Sequence, residues 1–338
     1  MPEPKFLVVR LGSLGDIVHA FPAVAAVRET FPSGKIVWLT HPRWRELVAA
    51  AKIANEIWEV EMRSLPSIVK TRKQIRLGGF SAAIDYQGLW KSAALPLLAR
   101  IPKRIGFSST SVREFGVPLL YTERVQIRSA HIADKNGELS LRAGALKPVG
   151  EFSLSVAPEA KNAVRDMLRA KGVQGYVVLS PGGGWLSKCW PAERYGELAL
   201  RLLREMGLKS VINYGPGEEH LLDRVLATSG DAAPVPYSGS FGQLMAVLQS
   251  ARCVVAGDTG PLHLADALGT KVVAIFGPTD PERNGPYLGR GPGGRAMVLR
   301  ANNVESTYKR EDAPHPSLLK ISVENVLGAI REAQIFHE

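Results

Sequence analysis

The chain has 338 residues, 45% of them hydrophobic, and a formal net charge of +10. This length favours two domains rather than one core, because compact domains usually hold roughly 100 to 200 residues. Its two cysteines, Cys189 and Cys253, form no CxxC motif, and its longest apolar runs fall well short of the roughly 18 residues of a membrane span, which argues against a disulfide scaffold, a zinc site and a transmembrane helix.

Short β-branched runs and helical patterns alternate through the first half of the chain. Strands are predicted over 6–10, 36–40, 56–60 and 83–86, and helices over 16–30, 44–51, 67–77 and 91–99. This alternation is typical of a parallel α/β sheet. The apolar stretch at the N-terminus is interrupted by Arg10 and Asp16, so we expect no signal peptide and a cytoplasmic protein that begins near Met1.

The same alternation starts again after Lys147. Strands are predicted over 176–180, 210–214, 253–256 and 272–276, and helices over 192–205, 218–229, 242–250 and 261–268. A linker with Pro148, Gly150 and Pro158 lies between the two halves. We therefore predict two α/β domains, over 1–150 and 151–321, followed by a final helix in 322–338.

The positive charge lies in the first half of the chain. Residues 1–150 hold 22 Lys and Arg against 12 Asp and Glu, whereas residues 151–338 hold 20 of each. Ten basic residues lie between Met62 and Arg113, where Asp85 is the single acid; they are Arg63, Lys70, Arg72, Lys73, Arg76, Lys91, Arg100, Lys103, Arg104 and Arg113. Such a field attracts polyanions, but the stretch lacks interleaved aromatic residues for stacking bases, so nucleic acid is disfavoured. A solvated face, an anionic substrate and a membrane surface remain open.

The sequence RLGSLGD, residues 10–16, lies between the first strand and a helix. Ligands of α/β sheets bind at such turns, but the GxxG spacing does not match the GxGxxG of dinucleotide-binding proteins. Asp16 is either an N-cap that accepts helix amide protons or a general base that removes a proton from a sugar hydroxyl.

Two glycine turns of the second half also follow strands. In PGGGWLSKCWP, residues 181–191, the glycines let the backbone approach a ligand and Lys188 supplies a charge for a phosphate, although a plain turn with a solvated lysine fits equally well. In YGPGEE, residues 214–219, either Glu218 or Glu219 caps the next helix or accepts a hydrogen bond from a ribose hydroxyl.

The segment VAGDTGPLH, residues 255–263, is the strongest anion-binding candidate. It leads from a strand into a helix, and Thr259 and Gly260 place free amide donors where a diphosphate binds. This arrangement is able to replace a metal ion, and the chain contains no DxD triplet. His263 is either a phosphate donor or a packing residue.

Five motifs together resemble the lipopolysaccharide heptosyltransferases of glycosyltransferase family nine. They are RLGSLGD at 10–16, DYQGLWKSAAL at 85–95, SKCWP at 187–191, GDTGPLH at 257–263 and FGPTDP at 276–281. The match looks closer to type I than to type II. The resemblance implies a GT-B fold, in which two Rossmann-like domains with parallel sheets face a cleft and the final helix crosses back to the first domain. It also implies transfer with inversion, without a metal or cofactor.

The resemblance also implies roles for individual residues. The catalytic aspartate falls on Asp16. The donor site is predicted to contain Gly183, Gly184, Ser187, Lys188, Glu218, Asp258, Thr259, Gly260 and His263. The acceptor site is predicted to contain Gly15, Arg63, Lys70, Arg72, Lys73, Gln87 and Lys91. Gly183 and Gly184 replace polar residues expected in type I, so contacts to the donor there are expected to come from the backbone.

The reaction implied is transfer of L-glycero-D-manno-heptose from ADP-heptose to Kdo of Kdo2-lipid A. The enzyme is then expected at the cytoplasmic face of the inner membrane, held there peripherally, with no nucleic-acid partner. The alternative is a related transferase with another nucleotide-sugar or a later acceptor such as heptosyl-Kdo2-lipid A. A nucleotide-sugar-binding module without transfer activity and a Rossmann dehydrogenase are weaker alternatives.

Overall fold

A computed structural model describes residues 3–112, 114–291 and 293–335, so Arg113 of the basic stretch lies outside the described residues. The chain divides into two compact units, Met1–Ser155 and Val156–Glu338.

The first unit is built on one parallel six-stranded sheet. Its strands are β1 (Lys5–Val9), β2 (Lys35–Thr40), β3 (Glu56–Glu59), β4 (Ala82–Asp85), β5 (Lys103–Phe107) and β6 (Glu123–Val125). Its helices are α1 (Leu14–Val18), α2 (Phe21–Thr30), α3 (Arg45–Ala50), α4 (Leu65–Leu77), α5 (Trp90–Leu98) and α6 (Ile132–Ala143). The strand order is β3-β2-β1-β4-β5-β6, which is the Rossmann order.

Helices cover both faces of this sheet. Alternate residues of β1, Leu7 and Val9, belong to the core cluster that also contains Ile75 of α4 and Leu95 of α5. On the other face, the ring of Trp38 in β2 lies 5.6 Å from that of Phe21 in α2, and α2 packs against α6. The central strands β1, β2 and β4 are accordingly largely apolar runs, as expected for strands buried on both sides.

The second unit repeats the plan. Its strands are β7 (Tyr176–Ser180), β8 (Lys209–Asn213), β9 (Val235–Tyr237), β10 (Cys253–Gly257), β11 (Val272–Phe276) and β12 (Ala296–Arg300). Its helices are α7 (Pro158–Ala170), α8 (Ala192–Met206), α9 (Glu219–Thr228), α10 (Phe241–Ser250), α11 (Gly260–Ala267), α12 (Pro281–Asn284), α13 (Pro316–Leu319) and α14 (Val323–Ile335). The order β12-β11-β10-β7-β8-β9 is again parallel and of the Rossmann type. The prediction of two Rossmann-like α/β sheets is confirmed.

The strand order reverses once in each sheet. In the first sheet this occurs between β1 and β4, and in the second between β7 and β10. Ligands of such sheets bind in the crevice at the carboxyl ends of the strands beside this reversal. The loops after these four strands are therefore where binding residues are expected.

The structure bears on two of the predicted helices, the one over 16–30 and the final one. The predicted helix over 16–30 is two helices, α1 and α2. The final helix, α14, places Val326, Leu327 and Ile330 in the core of the second unit, and its crossing to the first unit stays a prediction. None of the helices within the described ranges has the length and apolar character needed to cross a membrane.

Candidate functional site

Asp16 belongs to a capping box at the start of α1. The N-cap is Ser13, and Asp16 occupies the third helical position, so the reading of Asp16 as the N-cap is wrong by three residues. The backbone N–H and the hydroxyl of Ser13 donate to Oδ2 of Asp16 at 3.1 and 3.0 Å. This reciprocal arrangement satisfies amide donors of the first turn and fixes one carboxylate oxygen.

The other oxygen of Asp16 is held by Arg10, the last residue before the turn. Arg10 Nη2 lies 2.7 Å from Asp16 Oδ1, and the side chains of Arg10 and Asp16 are 6% and 43% exposed. Nη1 of Arg10 donates to the backbone oxygen of Tyr86, which follows β4. A buried cation therefore holds an accessible carboxylate at the reversal of the first sheet, which is the placement a general base needs. Arg10 was not among the predicted site residues.

The loop after β4 is joined to the same turn. Oε1 of Gln87 accepts from Leu11 N at 2.8 Å, so Gln87, predicted for the acceptor site, first of all links the loops after β1 and β4. Beside it, buried Asp85 accepts hydrogen bonds from Tyr121, Ser92 and the amides after β4. Burial outweighs these contacts and raises the pKa of the Asp85 carboxyl. Asp85 thus orders the loop rather than offering a base to solvent.

The other predicted acceptor residues lie in different places of the first unit. Gly15 is buried within α1, next to Asp16. The predicted basic residues are exposed on or beside α4 and α5; they are Arg63, Lys70, Arg72, Lys73 and Lys91. Arg72 Nε donates to the backbone oxygen of Leu98, 3.0 Å away. Contact of these side chains with an acceptor stays a prediction.

The second unit brings Lys188, Asp258 and His263 together at the reversal of its sheet. Lys188 lies in a 3-10 turn after β7, Asp258 directly follows β10, and His263 is in the first turn of α11. Lys188 Nζ lies 2.6 Å from Asp258 Oδ2, and His263 Nε2 lies 3.3 Å from Asp258 Oδ1. All three side chains are largely buried. The geometry is a desolvated charge cluster at the edge where an anionic ligand is expected.

The charges of this cluster depend on each other. Burial alone raises the pKa of the Asp258 carboxyl, but the hydrogen bond from His263 and the charge of Lys188 outweigh it and hold that pKa below its usual range. Because an ionised carboxylate only accepts, Nε2 of His263 carries the proton in this contact. Asp258 therefore positions two donors beside the N-terminus of α11.

The start of α11 adds further donors. Thr259 is its N-cap and uses no side-chain capping bond, and its buried Oγ1 has no hydrogen-bond partner within the described ranges. The first amides of a helix also lack intrahelical partners, and Gly260 and the residues after it lie in this turn. These groups and Lys188 are donors of the kind that bind phosphate groups, and their contact with a donor diphosphate stays a prediction.

Glycines keep the loops of the second unit close. A Cβ on Gly257 would lie 2.9 Å from the backbone oxygen of Lys188, and one on Gly183 would lie 2.9 Å from Cys189 Sγ. Gly184, in contrast, has nothing within 4 Å of that position. Gly183 is therefore closely packed, whereas the space beside Gly184 is open. Contact of the donor with the backbone at these two glycines stays a prediction.

Of the two glutamates that the sequence left undecided, Glu218 approaches the glycine loop. Its carboxylate accepts from Gly215 N at 2.7 Å, and a Cβ on Gly182 would clash with its Oε1. Glu219 is exposed in the first turn of α9. Contact with a ribose stays a prediction for Glu218.

Trp185 and the segment 309–315 were not predicted from the sequence. The Trp185 ring has Lys188 Nζ 4.5 Å and the Arg310 guanidinium 4.9 Å from its centroid. Ser187, predicted for the donor site, is buried and donates from its N–H to the backbone oxygen of Glu311 and from its hydroxyl to that of Lys309. Ser187 therefore anchors this segment to the loop after β7.

Cys189 and the acidic side chains bear on two further chemistries, a thiolate nucleophile and a metal site. Burial raises the pKa of the Cys189 thiol to about 11, so Cys189 is not a thiolate nucleophile at neutral pH. Within residues 3–112, 114–291 and 293–335, no three or more His, Cys, Asp and Glu side chains gather as a metal site would require. Acid-base chemistry at Asp16 and anion binding at Lys188 and α11 are what the described side chains offer.

Comparison with known proteins identifies relatives over nearly the whole chain. Lipopolysaccharide heptosyltransferase 1 of Escherichia coli O18:K1:H7 is 27% identical, over 93% of this chain and 100% of its own. Lipopolysaccharide heptosyltransferase 3 of Escherichia coli K12 is 24% identical, over 79% of this chain and 80% of its own.

Solved structures share the fold. Escherichia coli ADP-heptose lps heptosyltransferase II superposes with a TM-score of 0.80 at 22% identity and 98% coverage of both chains. Escherichia coli heptosyltransferase WaaC with ADP-2-deoxy-2-fluoro heptose superposes with a TM-score of 0.74 at 25% identity, covering 97% of this chain and 99% of its own. The GT-B assignment is confirmed by this likeness.

The family model of glycosyltransferase family 9 (heptosyltransferase) matches residues 68–312, which include the loop after β4 and every predicted donor residue. The fold, the relatives and the family model all indicate the same family. The chain belongs to glycosyltransferase family 9, the heptosyltransferase family, and is a glycosyltransferase.

Proposed function

We propose that this enzyme transfers L-glycero-D-manno-heptose from ADP-heptose to Kdo of the lipopolysaccharide inner core, with Kdo2-lipid A as acceptor. The observation that carries the proposal is the buried cluster of Lys188, Asp258 and His263 beside the N-terminus of α11. Lipopolysaccharide heptosyltransferase 1 among the relatives and the ADP-heptose analogue in the WaaC structure favour this donor and acceptor.

In the proposed reaction, the carboxylate of Asp16 takes the proton of a Kdo hydroxyl. The oxygen forms the new glycosidic bond to the anomeric carbon from the face opposite the leaving group, so the configuration inverts. The bond from that carbon to the ADP oxygen breaks, and ADP leaves with the electron pair. Arg10 and Ser13 keep the carboxylate oriented while it accepts the proton.

The negative charge that develops on ADP falls on preorganised donors. Lys188 and the amides of Thr259 and Gly260 are proposed to bind the diphosphate, while Asp258 keeps Lys188 and His263 in place. Donors that are already oriented need no reorganisation when the charge develops, which is where they lower the barrier most. We propose that these groups replace a metal ion on the diphosphate and that no cofactor takes part.

The acceptor is proposed to bind to the first unit, which carries nearly all the excess positive charge. Its phosphates and carboxylates suit the exposed basic residues on α4 and α5. Because the acceptor is anchored in a bilayer, we propose that the enzyme works peripherally at the cytoplasmic face of the inner membrane.

The test is identification of the product by mass spectrometry. The purified enzyme is incubated with ADP-heptose and Kdo2-lipid A, and we expect a product heavier by one heptose residue, with NMR showing inversion at the anomeric carbon. Parallel reactions contain GDP- and UDP-sugars, or heptosyl-Kdo2-lipid A as acceptor. Product from one of these alone would replace the proposed donor or acceptor with the alternative one.

The alternative acceptor has its own support, because lipopolysaccharide heptosyltransferase 3 is also among the relatives. A protein that bound ADP-heptose but formed no product with either acceptor would be a binding module, and the transfer proposal would be abandoned. Binding of NAD(P)H in place of ADP-heptose would point to a dehydrogenase.

A further inference from the structure

One side of the first unit combines exposed apolar residues with exposed basic residues. The apolar set, called the apolar ridge below, is Leu65, Val69, Trp90, Leu97, Phe115 and Leu119, which are 36% to 99% exposed. Large apolar side chains that lie together on a surface mark an interaction site, whereas single ones are ordinary.

On α4 the exposed residues form a stripe along one side of the helix. Leu65, Val69, Arg72 and Arg76 follow one another at spacings of four, three and four residues, which keeps them on one side. Thr71 and Ile75 are the buried residues of α4, so the stripe lies away from the core. Apolar and cationic side chains are thus presented together by the same helix.

The stripe continues onto α5. Arg72 Nε donates to the backbone oxygen of Leu98 at the end of α5, and Ile75 of α4 shares a core cluster with Leu95 of α5. The exposed side of α5 carries Trp90 and Leu97, one heptad apart. The two helices therefore form one surface.

The turn after β5 extends this surface further. Trp90 Nε1 donates to the backbone oxygen of Phe115 at 3.2 Å, and Val117 packs with Ala93 of α5 in a small core cluster. Phe115 itself is 99% exposed. This aromatic side chain is held at the surface by a turn that is fixed to α5.

The charge around the ridge is positive. Between residues 62 and 112 the exposed ionisable side chains on α4 and α5 are basic, and the single acid of that stretch, Asp85, is buried. The carboxylate of Glu114, at the turn, accepts a hydrogen bond from Trp90 N at 2.6 Å. A surface that joins apolar side chains to a cationic field suits an anionic bilayer, where the chains enter the interface and the cations meet lipid headgroups.

We propose that the apolar ridge on α4, α5 and the turn of Phe115 docks the enzyme on an anionic phospholipid bilayer. Leu65, Val69 and Phe115 enter the interfacial region while the basic residues beside them contact the headgroups. The inference deepens the proposed function, which requires the enzyme to meet a lipid-anchored acceptor, but docking itself needs no turnover.

The test is vesicle flotation of the full chain. Vesicles of phosphatidylcholine alone and with about 30% phosphatidylglycerol, an anionic fraction at which basic surfaces bind, are compared at low and high salt. We expect the wild type to float with the anionic vesicles and to be released by salt. The variant Leu65→Gln/Val69→Gln/Phe115→Gln should lose about tenfold in partitioning, because reversible binding needs both the apolar and the charged contributions.

Leu146→Gln is the matched control. Leu146 is 87% exposed but follows α6, which packs with α2 on the opposite face of the sheet, so this variant should float like the wild type. All four positions are exposed, so the substitutions should leave the melting temperature unchanged within experimental error. The proposal would be overturned if the triple variant floated as well as the wild type. It would also be overturned if the wild type bound neutral vesicles as well as anionic ones.

Two further measurements distinguish bilayer docking from dimer formation and from the proposed transfer activity. If the ridge binds a second copy of the chain instead, analytical ultracentrifugation will show a wild-type dimer that the triple variant loses, and bilayer docking is then wrong. If transfer activity is also proposed correctly, the triple variant should still glycosylate a deacylated, water-soluble acceptor at the wild-type rate. Flotation without any transfer activity would instead refute the proposed function and leave the docking surface standing.

Discussion

Asp16 is a residue whose two oxygens have different partners, Arg10 on one side and Ser13 on the other. Asp16→Asn preserves the size of the side chain and one acceptor oxygen but removes the ability to take a proton. We expect turnover with ADP-heptose and Kdo2-lipid A to fall by about a hundredfold or more, the usual contribution of a general base, because the amide cannot take the proton.

The matched control for Asp16→Asn is Asp231→Asn. Asp231 also pairs with an arginine, Arg204, at 3.0 Å, but both side chains are more than 60% exposed. This control should keep its wild-type turnover and melting temperature, since exposed pairs contribute little. In Asp16→Asn the buried Arg10 loses its charged partner, so the turnover of that variant is measured well below its own melting temperature. Near-normal turnover of Asp16→Asn would remove Asp16 from the role of base.

Lys188 is predicted to bind the diphosphate of the donor rather than to take part in proton transfer. In Lys188→Ala we expect the Kd for ADP, measured by calorimetry, to rise about tenfold or more, the cost of losing one charge-assisted hydrogen bond. Lys161→Ala, at an exposed position of α7, is the control and should bind ADP normally. An unchanged Kd in Lys188→Ala would place the diphosphate elsewhere.

Asp258 gives a prediction with a definite sign in pH. Its pKa is lower in the folded protein than in the unfolded chain, so its stabilising contribution is present above the unfolded pKa and is lost as pH falls through the folded value. Asp258→Asn should therefore be destabilised most at neutral pH, by about 3 kcal/mol or more for a broken buried pair. The difference should shrink below about pH 4, the unfolded pKa of an aspartate.

Thermal unfolding of wild type and Asp258→Asn from pH 7 to pH 3 measures this difference. A difference that stays constant over the whole range would mean that the ionised form of Asp258 does not stabilise the fold. Asp223→Asn, at an exposed position of α9, is the control and should show no such pH dependence.

For single residues, the sequence predicted which side chains belong to the site better than it predicted which side chains they contact. Lys188 and Asp258 were both predicted, but their 2.6 Å contact joins residues of two different strand ends and has no local signal. Arg10 was missed because a charged residue after a strand is usually solvated, and its burial is set by the backbone oxygen of Tyr86.

At the scale of elements, the loops after β7 and β10 approach each other at one glycine. Gly257→Ala would bring a Cβ to 2.9 Å from the backbone oxygen of Lys188, which cannot rotate away. We expect a loss of roughly 1 to 3 kcal/mol in the free energy of unfolding, the usual cost of overpacking, together with weaker ADP binding.

Gly184→Ala is the control for that effect, since it lies in the same loop as Lys188 and an added Cβ meets nothing within 4 Å. Chemical denaturation should leave it close to the wild type; ADP binding is not compared for this variant, because Gly184 is itself predicted for the donor site. If Gly184→Ala and Gly257→Ala behaved alike, the close approach of the two loops would not be what matters.

The elements that the sequence identified are those with the clearest periodicity. Most of the predicted strands, such as β1, β2 and β10, are buried on both faces and read as apolar runs. The edge strand β3 was also predicted, whereas β5, which begins with two basic residues, was missed. The edge strands β6 and β9 have three residues each, which is too short for a pattern, and exposed positions interrupt the apolar character of β12. The helix over 16–30 was predicted as one because its break between Val18 and Phe21 carries no breaker residue before Pro22.

At the scale of the whole chain, the two units share a strand order but not a charge. The equal number of acids and bases over 151–338 and the excess of bases over 1–150 were readable from the sequence, and so was the use of strand ends for binding. The apolar ridge was not, because exposed leucines on α4 and α5 look like ordinary helix residues until their exposure is known.

The charge difference predicts that salt affects the two substrates unequally. The predicted basic residues on and beside α4 and α5 are exposed, so their attraction for an anionic acceptor is screened beyond a Debye length of about 10 Å at 0.1 M salt and about 3 Å at 1 M. Lys188 and Asp258 are 11% and 7% exposed, and interactions of such buried charges are screened much less. Raising the salt concentration over this range should therefore raise the KM for a deacylated Kdo acceptor several-fold while the KM for ADP-heptose changes less than twofold. Steady-state kinetics with each substrate varied at a saturating concentration of the other measures both values, and potassium glutamate in place of chloride controls for specific anion binding. An equal rise in both KM values would show that the basic face of the first unit is not what attracts the acceptor.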